Sequence, residues 1–350
     1  MPDTEKEAQW VSRGRCPSNI ALVKYWGKRE FQKPMNQSLS FVLQNSFTET
    51  SVELFSDGDQ KVEFFFEGVP HVFKERIEVY LCNLSVKMGW IENYNFRIRS
   101  RNSFPHSAGI ASSASSFGAL ALCIAELHYA ILGKEPDNPD LWRKASELAR
   151  MGSGSACRSI YPGFSIWGKA PLFESCSDEY AIPIYEGINP VFYGLRDAIL
   201  IVDSGKKEVS SSTGHALMNE HVYQSARIAQ AQQNLHELYL AMLTGNKEIF
   251  MEVVESEALS LHALMMTSHP SYILLKPNTL EIINRVRHFR QKTSLPVCFT
   301  LDAGPNIHLL YFKKNEQEIK AFIEEELAEL CENRMWIDDR IGKGPERILS

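Results

Sequence analysis

The sequence has no excess of positive charge, no paired-cysteine motif and no unbroken apolar run of membrane-spanning length. Each lack removes a class of function. Lys and Arg number 37 against 43 Asp and Glu, a net charge of −6. A broad basic surface for nucleic acid or an anionic membrane is thereby excluded, and any bound anion must be held by a local cluster of cations. Seven cysteines (Cys16, Cys82, Cys123, Cys157, Cys176, Cys298 and Cys331) are odd in number, scattered, and form no C-x-x-C pair. They predict free thiols in a reducing cytosol rather than a disulfide frame or a zinc site. The longest apolar stretch, Phe117 to Leu132, is interrupted by Glu126 and His128 and is expected to fall short of the ~20 residues a bilayer needs. The opening Met-Pro-Asp-Thr-Glu-Lys-Glu lacks an apolar signal core, which predicts a cytoplasmic protein. Internal repeats and low-complexity tracts are also missing.

What is present is a globular chain of 350 residues, enough for two domains of roughly 150 residues each. The turn cluster Glu186-Gly187-Ile188-Asn189-Pro190 marks the expected boundary, dividing the chain into 1–188 and 189–350. Alternating runs predict an antiparallel strand pair at Ser51–Phe55 and Val62–Phe66, then a helix over Lys74–Trp90 and a strand at Asn95–Arg99. A helix carrying Phe117, Leu120, Ile124, Leu127 and Ile131 should stop near Gly133. Further helices are expected at Leu141–Met151, Ala216–Leu243, Lys247–Met266, Thr279–Arg290 and Gln317–Leu330. Strands are expected at Gly163–Trp167, Ala198–Val202, Val297–Leu301 and His308–Phe312. Strands and helices mix without regular βαβ alternation, so the class is α+β.

Two motifs mislead. Gly163-Phe-Ser-Ile-Trp-Gly168-Lys169-Ala170 approaches a phosphate-binding loop, but Ala170 stands where a hydroxyl is needed and the middle reads as a strand. His236-Glu237 begins like a zinc-protease helix, yet Leu240 replaces the second His.

Other segments carry more. The Ser/Ala/Gly stretch Pro105–Ser116 runs into a helix, whose N-terminus would aim free N–H groups at an anion. Composition reads it equally as a small-residue helix start. Gly152-Ser153-Gly154-Ser155-Ala156-Cys157-Arg158-Ser159 places an Arg, suited to gripping a carboxylate or phosphate, beside a turn rich in hydroxyls. Alone it reads as a surface loop, as does Asp203-Ser204-Gly205-Lys206-Lys207. Lys24 lies within the apolar Asn19–Arg29 segment, a costly place for an ammonium unless it meets an anion. Asp302 directly follows the apolar run Val297–Leu301, and reads equally as a rigidly presented base or as an Asx-turn.

Together these segments resemble the mevalonate diphosphate decarboxylases of the GHMP kinase superfamily. The matching blocks are Asn19–Arg29, Pro34–Ser40, Phe104–Ser115, Gly152–Ser159, Lys206–Lys207 and Asp302–Asn306, in the family's order. The resemblance implies a GHMP-kinase-like two-domain α+β fold, ribosomal-protein-like then ferredoxin-like, with the active site in the cleft between domains. It implies ATP with Mg²⁺, a homodimer, and conversion of (R)-5-diphosphomevalonate to isopentenyl diphosphate. The route is phosphorylation of the C3 hydroxyl, then loss of phosphate and CO₂. By resemblance, Asp302 orients or deprotonates that hydroxyl, Arg158 holds the carboxylate, Asn19 steadies Arg158 and Lys24 neutralises charge nearby. Tyr25, Lys28, Ser153 and Ser155 bind the diphosphate arm. Ser107, Ala108, Gly109, Ser112, Ser113, Ser115 and Lys206 surround the nucleotide, with Ser113 at the transferred phosphate or Mg²⁺. The chain departs from the family at His106-Ser107, Gln37, Pro162 and His215. Alternatives are a decarboxylase of 5-phosphomevalonate, a mevalonate 3-kinase and, from another class, a non-catalytic ATP-binding relative.

Overall fold

The computed structural model describes residues 7–56, 61–105, 112–134, 138–205 and 209–348. Two long antiparallel strands, β1 (Trp10–Val23) and β2 (Ser38–Phe55), form its spine. The first half of β1 alternates, with Ser12, Gly14 and Cys16 buried and Arg13 exposed, as expected of a sheet with one wet face. From Pro17 to Val23 every residue is buried, because this half is covered on both sides. β3 (Val62–Phe66) and β4 (Val69–Pro70) form a small hairpin, and β5 (Asn95–Asn102) lies between β3 and β2. The expected direct pairing of Ser51–Phe55 with Val62–Phe66 is therefore corrected. β2 pairs antiparallel with β5, and β3 runs parallel to β5. The crossover between β3 and β5 passes through α1 (Lys74–Ser85), which ends before Trp90; residues Gly89–Asn93 form a separate 3₁₀ turn.

The other end of β2 pairs with β6 (Phe164–Trp167), which pairs with β7 (Ile182–Ile184). The false phosphate loop is thus a strand, ending at Gly168 with φ +101°. Across the sheet lies α2 (Ser112–Ile131), followed by α3 (Leu141–Gly152). At 20 residues α2 is long and apolar enough to cross a membrane by length and composition, which corrects the shorter estimate. Its burial identifies a core helix: Phe117, Leu120, Ile124 and Leu127 pack with Val52, Ile98 and Leu148.

A second sheet, β11-β8-β10-β9, is built from β8 (Leu195–Leu200), β9 (Val297–Thr300), β10 (Ile307–Phe312) and β11 (Trp336–Arg340). Between β8 and β9 lie α4 (Ser211–Ala216), α5 (Gln224–Thr244), α6 (Lys247–Met266) and α7 (Pro277–Thr293). The single helix expected over Ala216–Leu243 is divided, with Glu220 at φ +66° in the break. Of its expected stripe, Ala231, Leu235, Leu238 and Met242 are buried and Ile228 only partly so. The last helix is α8 (Glu316–Phe322), continued by a π turn at Ile323–Leu327 and a 3₁₀ turn at Ala328–Leu330. Irregular winding there keeps Ile319, Ile323 and Leu327 in one core.

The sheets are not independent bodies. Ile20, Leu22, Phe41 and Phe164 share one apolar cluster with Leu195, Ile199, Leu235 and Phe250. The chain end then returns to the first sheet, where β12 (Glu346–Arg347) pairs with β1. On the way Gly342 donates to the Val42 carbonyl at 2.7 Å and accepts from Gly163. A Cβ at Gly342 would collide with the Leu43 carbonyl group. Backbone cannot yield as a side-chain tip can, so Gly342→Ala should destabilise by about 1–3 kcal/mol. Chemical denaturation checks this, and an unchanged midpoint would show that the crossing is loose.

Candidate active site

A cavity of about 430 Å³ opens where the two sheets meet. Asn19, Lys24, Tyr25 and Lys28 reach it from the end of β1 and the loop beyond. Ser153, Gly154, Ser155 and Arg158 come from the turn after α3, and Ser112 and Ser113 from the start of α2. Asp302 enters just past the end of β9. Ten of the expected site residues thus line one cavity, although nearly the whole chain separates the first from the last.

Lys24 is the centre of the arrangement. Its side chain is 2% exposed, and its Nζ lies 3.0 Å from Asp302 Oδ1. Its backbone is held equally firmly. Lys24 N donates to Glu257 Oε2 at 2.7 Å, and its carbonyl accepts from Arg227 Nη2 at 3.0 Å and Asn36 Nδ2 at 2.8 Å. Arg227 and Glu257 are a buried bidentate pair, with bonds of 2.7 and 2.6 Å, and Asn234 caps the carboxylate at 2.5 Å. A buried ion pair of this geometry is costly to break, at about 3–5 kcal/mol when one partner is removed. Sequence reading missed Arg227 and Glu257. The signal was a charged residue on the buried stripe of each of two helices.

Arg158 is also buried. Nη1 donates to Ser38 Oγ at 2.5 Å and Nε to Ser40 Oγ at 3.1 Å, while Asn19 Oδ1 stands farther off at 3.4 Å. Asn19 mainly braces its own surroundings, donating to Ser159 Oγ at 2.8 Å and the Ser155 carbonyl at 3.0 Å. Ser38 and Ser40 therefore fix the guanidinium more directly than the expected Asn19. Burial pushes the Arg158 pKa down, partly countered by Cys157, Asp302 and Tyr25. Burial likewise holds Tyr25 protonated by raising its pKa, which leaves the phenol a donor. Lys28 is lowered by burial and by Arg76, a cavity residue that sequence reading did not find.

The start of α2 departs from expectation in one place. Ser112 and Ser113 line the cavity, and Ser113 Oγ lies 3.3 Å from Ser153 Oγ. Ser115 does not join them. It is fully buried, with Oγ bonded to Thr48 at 2.7 Å and to the Ser112 carbonyl at 3.2 Å. Two residues beyond Ser113 along the helix, its side chain is turned by about 200° from that of Ser113, which aims Ser115 at β2 and corrects its assignment to the nucleotide. Ser107, Ala108, Gly109, Lys206 and the neighbouring Lys207 lie outside the described residues. Gly154 has a stringent role, since a Cβ there would meet Tyr25 Oη at 2.7 Å and Trp167 at 2.9 Å.

A smaller apolar chamber of about 140 Å³ adjoins the cavity through Arg76, Ser112 and Ser113. Phe64, Phe66, Phe73 and Ile98 are among its walls. Among the described residues no group of three His, Cys, Asp or Glu could hold a metal by itself.

Cations, hydroxyls and a helix N-terminus around one carboxylate, within a two-domain α+β fold, define an enzyme for small anionic substrates. The comparisons supply the family. A model described as "Diphosphomevalonate decarboxylase-like N-terminal domain" matches residues 16–177, and "Mevalonate 5-diphosphate decarboxylase C-terminal domain" matches 198–341. The chain is 31% identical to the diphosphomevalonate decarboxylase of Candida albicans over 88% of its own length and 86% of the relative's. The solved mevalonate diphosphate decarboxylase of Staphylococcus aureus superposes with a TM-score of 0.84 at 31% identity, covering 97% of this chain and 98% of that one. A solved complex of MDDEF with MVAPP, AMPPCP and magnesium gives a TM-score of 0.83 at 30% identity, over 97% and 99%. This chain belongs to the diphosphomevalonate decarboxylase family.

His215 supplies a test of the site's electrostatics. Burial, then Lys28 and Arg158, push its pKa down to about 3. The unfolded chain takes up a proton near pH 6.5 that the folded chain refuses, so this group's contribution to stability is full above that pH and shrinks as pH falls towards 3. Between pH 7 and 5 the protein should lose on the order of 1–2 kcal/mol more than its His215→Asn variant. Equal losses in denaturation curves would show a freely protonated imidazole.

Proposed function

We propose that this chain catalyses the ATP-dependent decarboxylation of (R)-5-diphosphomevalonate to isopentenyl diphosphate, with Asp302 acting on the C3 hydroxyl. The observation that carries this reading is the Lys24–Asp302 pair at 3.0 Å, the carboxylate lying in a cavity otherwise supplied with cations and hydroxyls. Asp302 is 29% exposed, so it can meet a substrate hydroxyl. Its backbone carbonyl is 3.1 Å from His262 Nε2, which steadies the turn presenting it.

The residues present suit ATP. The N-terminus of α2 offers hydroxyls and the leading N–H groups of a helix to phosphate, and the Phe-walled chamber beside it is an apolar receptor for the base. They suit Mg²⁺ only as a companion of the phosphates, held through Ser113, since one hydroxyl without a carboxylate cluster is a weak cage. ATP supplies the phosphoryl group that turns the C3 hydroxyl into a leaving group. Asp302 takes the hydroxyl proton as the C3 oxygen bonds to the γ-phosphorus and the bond from that phosphorus to ADP breaks, releasing ADP, while Lys24 offsets the charge gathering there. Arg158 Nη2, without a partner among the described residues, is left to orient the substrate carboxylate. When the C3–O bond breaks, the C1–C2 electrons become the C2=C3 double bond and CO₂ departs. Tyr25, Lys28, Ser153 and Ser155 hold the diphosphate arm. Preorganised charge of this kind is expected to provide most of the acceleration. The proposal includes a homodimer in the cytosol. Seven cysteines without a disulfide suit reducing surroundings, and the dimer rests on family resemblance.

Release of CO₂ and ADP with mevalonate, its 5-phosphate and its 5-diphosphate tests the substrate. Efficient turnover is expected only with the 5-diphosphate, because each lost charge-assisted hydrogen bond costs about 1.5–3 kcal/mol. Equal kcat/KM for the 5-phosphate would displace this choice. Asp302→Asn leaves Lys24 without its counter-ion, so the variant should be less stable yet still fold and bind ATP, while kcat falls by about 10²–10⁴-fold or more. Wild-type kcat in the folded variant would reduce Asp302 to a turn residue.

A further inference from the structure

His215, in the last turn of the short helix α4, does not come from a block that marks the family, yet its ring is fixed by a hydrogen bond and two ring contacts. Its centroid lies 4.4 Å from the Tyr25 ring and 4.5 Å from the Trp26 ring, with interplanar angles of 38° and 37°. Its Nδ1 is 3.0 Å from the Gly27 amide nitrogen and accepts that N–H. Gly214 permits the approach, since a Cβ there would meet Tyr272 Oη at 2.5 Å and Trp26 at 2.6 Å.

These contacts determine the tautomer. A neutral imidazole that accepts at Nδ1 must carry its proton on Nε2. That nitrogen finds no hydrogen-bond partner among the described residues, and His215 lines the cavity. The ring is therefore a fixed, uncharged N–H donor in a cavity whose charged donors among the described residues are Lys24, Lys28, Arg76 and Arg158. A further cation would be repelled by these. A neutral donor adds a hydrogen bond to an anion without adding charge.

Its place along the substrate follows from the chain. Lys24 and Asp302 mark the reacting end, and His215 is anchored through Gly27 beside Lys28, at the opposite end of the same loop. We propose that His215 determines specificity for the diphosphate arm, its Nε2–H donating to an oxygen of the terminal phosphoryl group beside Lys28. This rests on the function proposed above and deepens it by naming the group that distinguishes a diphosphate from a monophosphate.

Two substitutions separate this role from a structural one. Asn at 215 can place an oxygen near the Nδ1 position and keep the Gly27 bond, but offers no donor at the Nε2 position. Gln reaches the Nε2 position with an N–H donor but gives up the Gly27 bond. With the 5-diphosphate, His215→Asn should raise KM about tenfold or more, the effect falling on KM rather than kcat. His215→Gln should raise KM no more than about threefold, and neither change should alter kcat/KM for the 5-phosphate appreciably. The reverse order, with Asn harmless and Gln damaging, would make His215 a support for Gly27 and overturn the proposal. So would equal KM increases for both phosphorylated substrates. If the wild-type protein failed to turn over the 5-diphosphate, the function itself would fall and this role with it. Normal wild-type turnover with an unaffected His215→Asn variant would overturn only the role of His215.

Discussion

Lys24 is an ammonium group almost without solvent, and the arrangement of the site follows from neutralising it. Its partner, Asp302, comes from the loop just past β9 of the other sheet, so the pair spans the meeting of the two halves. The Lys24 backbone meets Glu257, Arg227 and Asn36 on both its N–H and its carbonyl. A charge with its main chain pinned on both sides cannot drift. That rigidity lets one ammonium serve both as the counter-ion of a carboxylate and as a stabiliser of developing negative charge.

The same constraint accounts for the shared core. If the two sheets packed loosely, Lys24 and Asp302 would separate and a desolvated charge would be stranded. Instead the fully buried half of β1 packs with β2 and β6 against α5 and α6 of the other domain, within a single apolar cluster. The return of the chain through Gly342 to β12 adds backbone hydrogen bonds across the junction. Stability and site geometry are thus obtained from the same contacts.

The acidic net charge and the cationic cavity are compatible because they occupy different places. Many arginines, among them Arg15, Arg97, Arg99 and Arg101, pair with Glu49, Glu53 and Glu63 on the outer face of the first sheet. Exposed pairs of this sort contribute little individually. The cavity cations meet a single carboxylate among the described residues that line it, Asp302. Positive potential is therefore concentrated where an anionic substrate is expected to sit.

The family, the α+β class, the blocks that form the cavity and the need of Lys24 for an anion were all legible in the linear order of residue types. Each depends on local composition or on a motif whose spacing is fixed by chemistry. The sequence could not place Ser115, because whether a helical hydroxyl faces a cavity or a strand depends on what the helix packs against. It did not disclose Arg227 and Glu257 as a pair, since they approach only when α5 and α6 lie together. Ser38 and Ser40 lay in the matching Pro34–Ser40 block without a role of their own until the turn after α3 brought Arg158 to them. The insertion of β5 between β2 and β3, and the neutral tautomer of His215, were likewise decided by tertiary structure. Strand neighbours and proton positions depend on partners far away in the chain, and local sequence carries no record of which partner will be near.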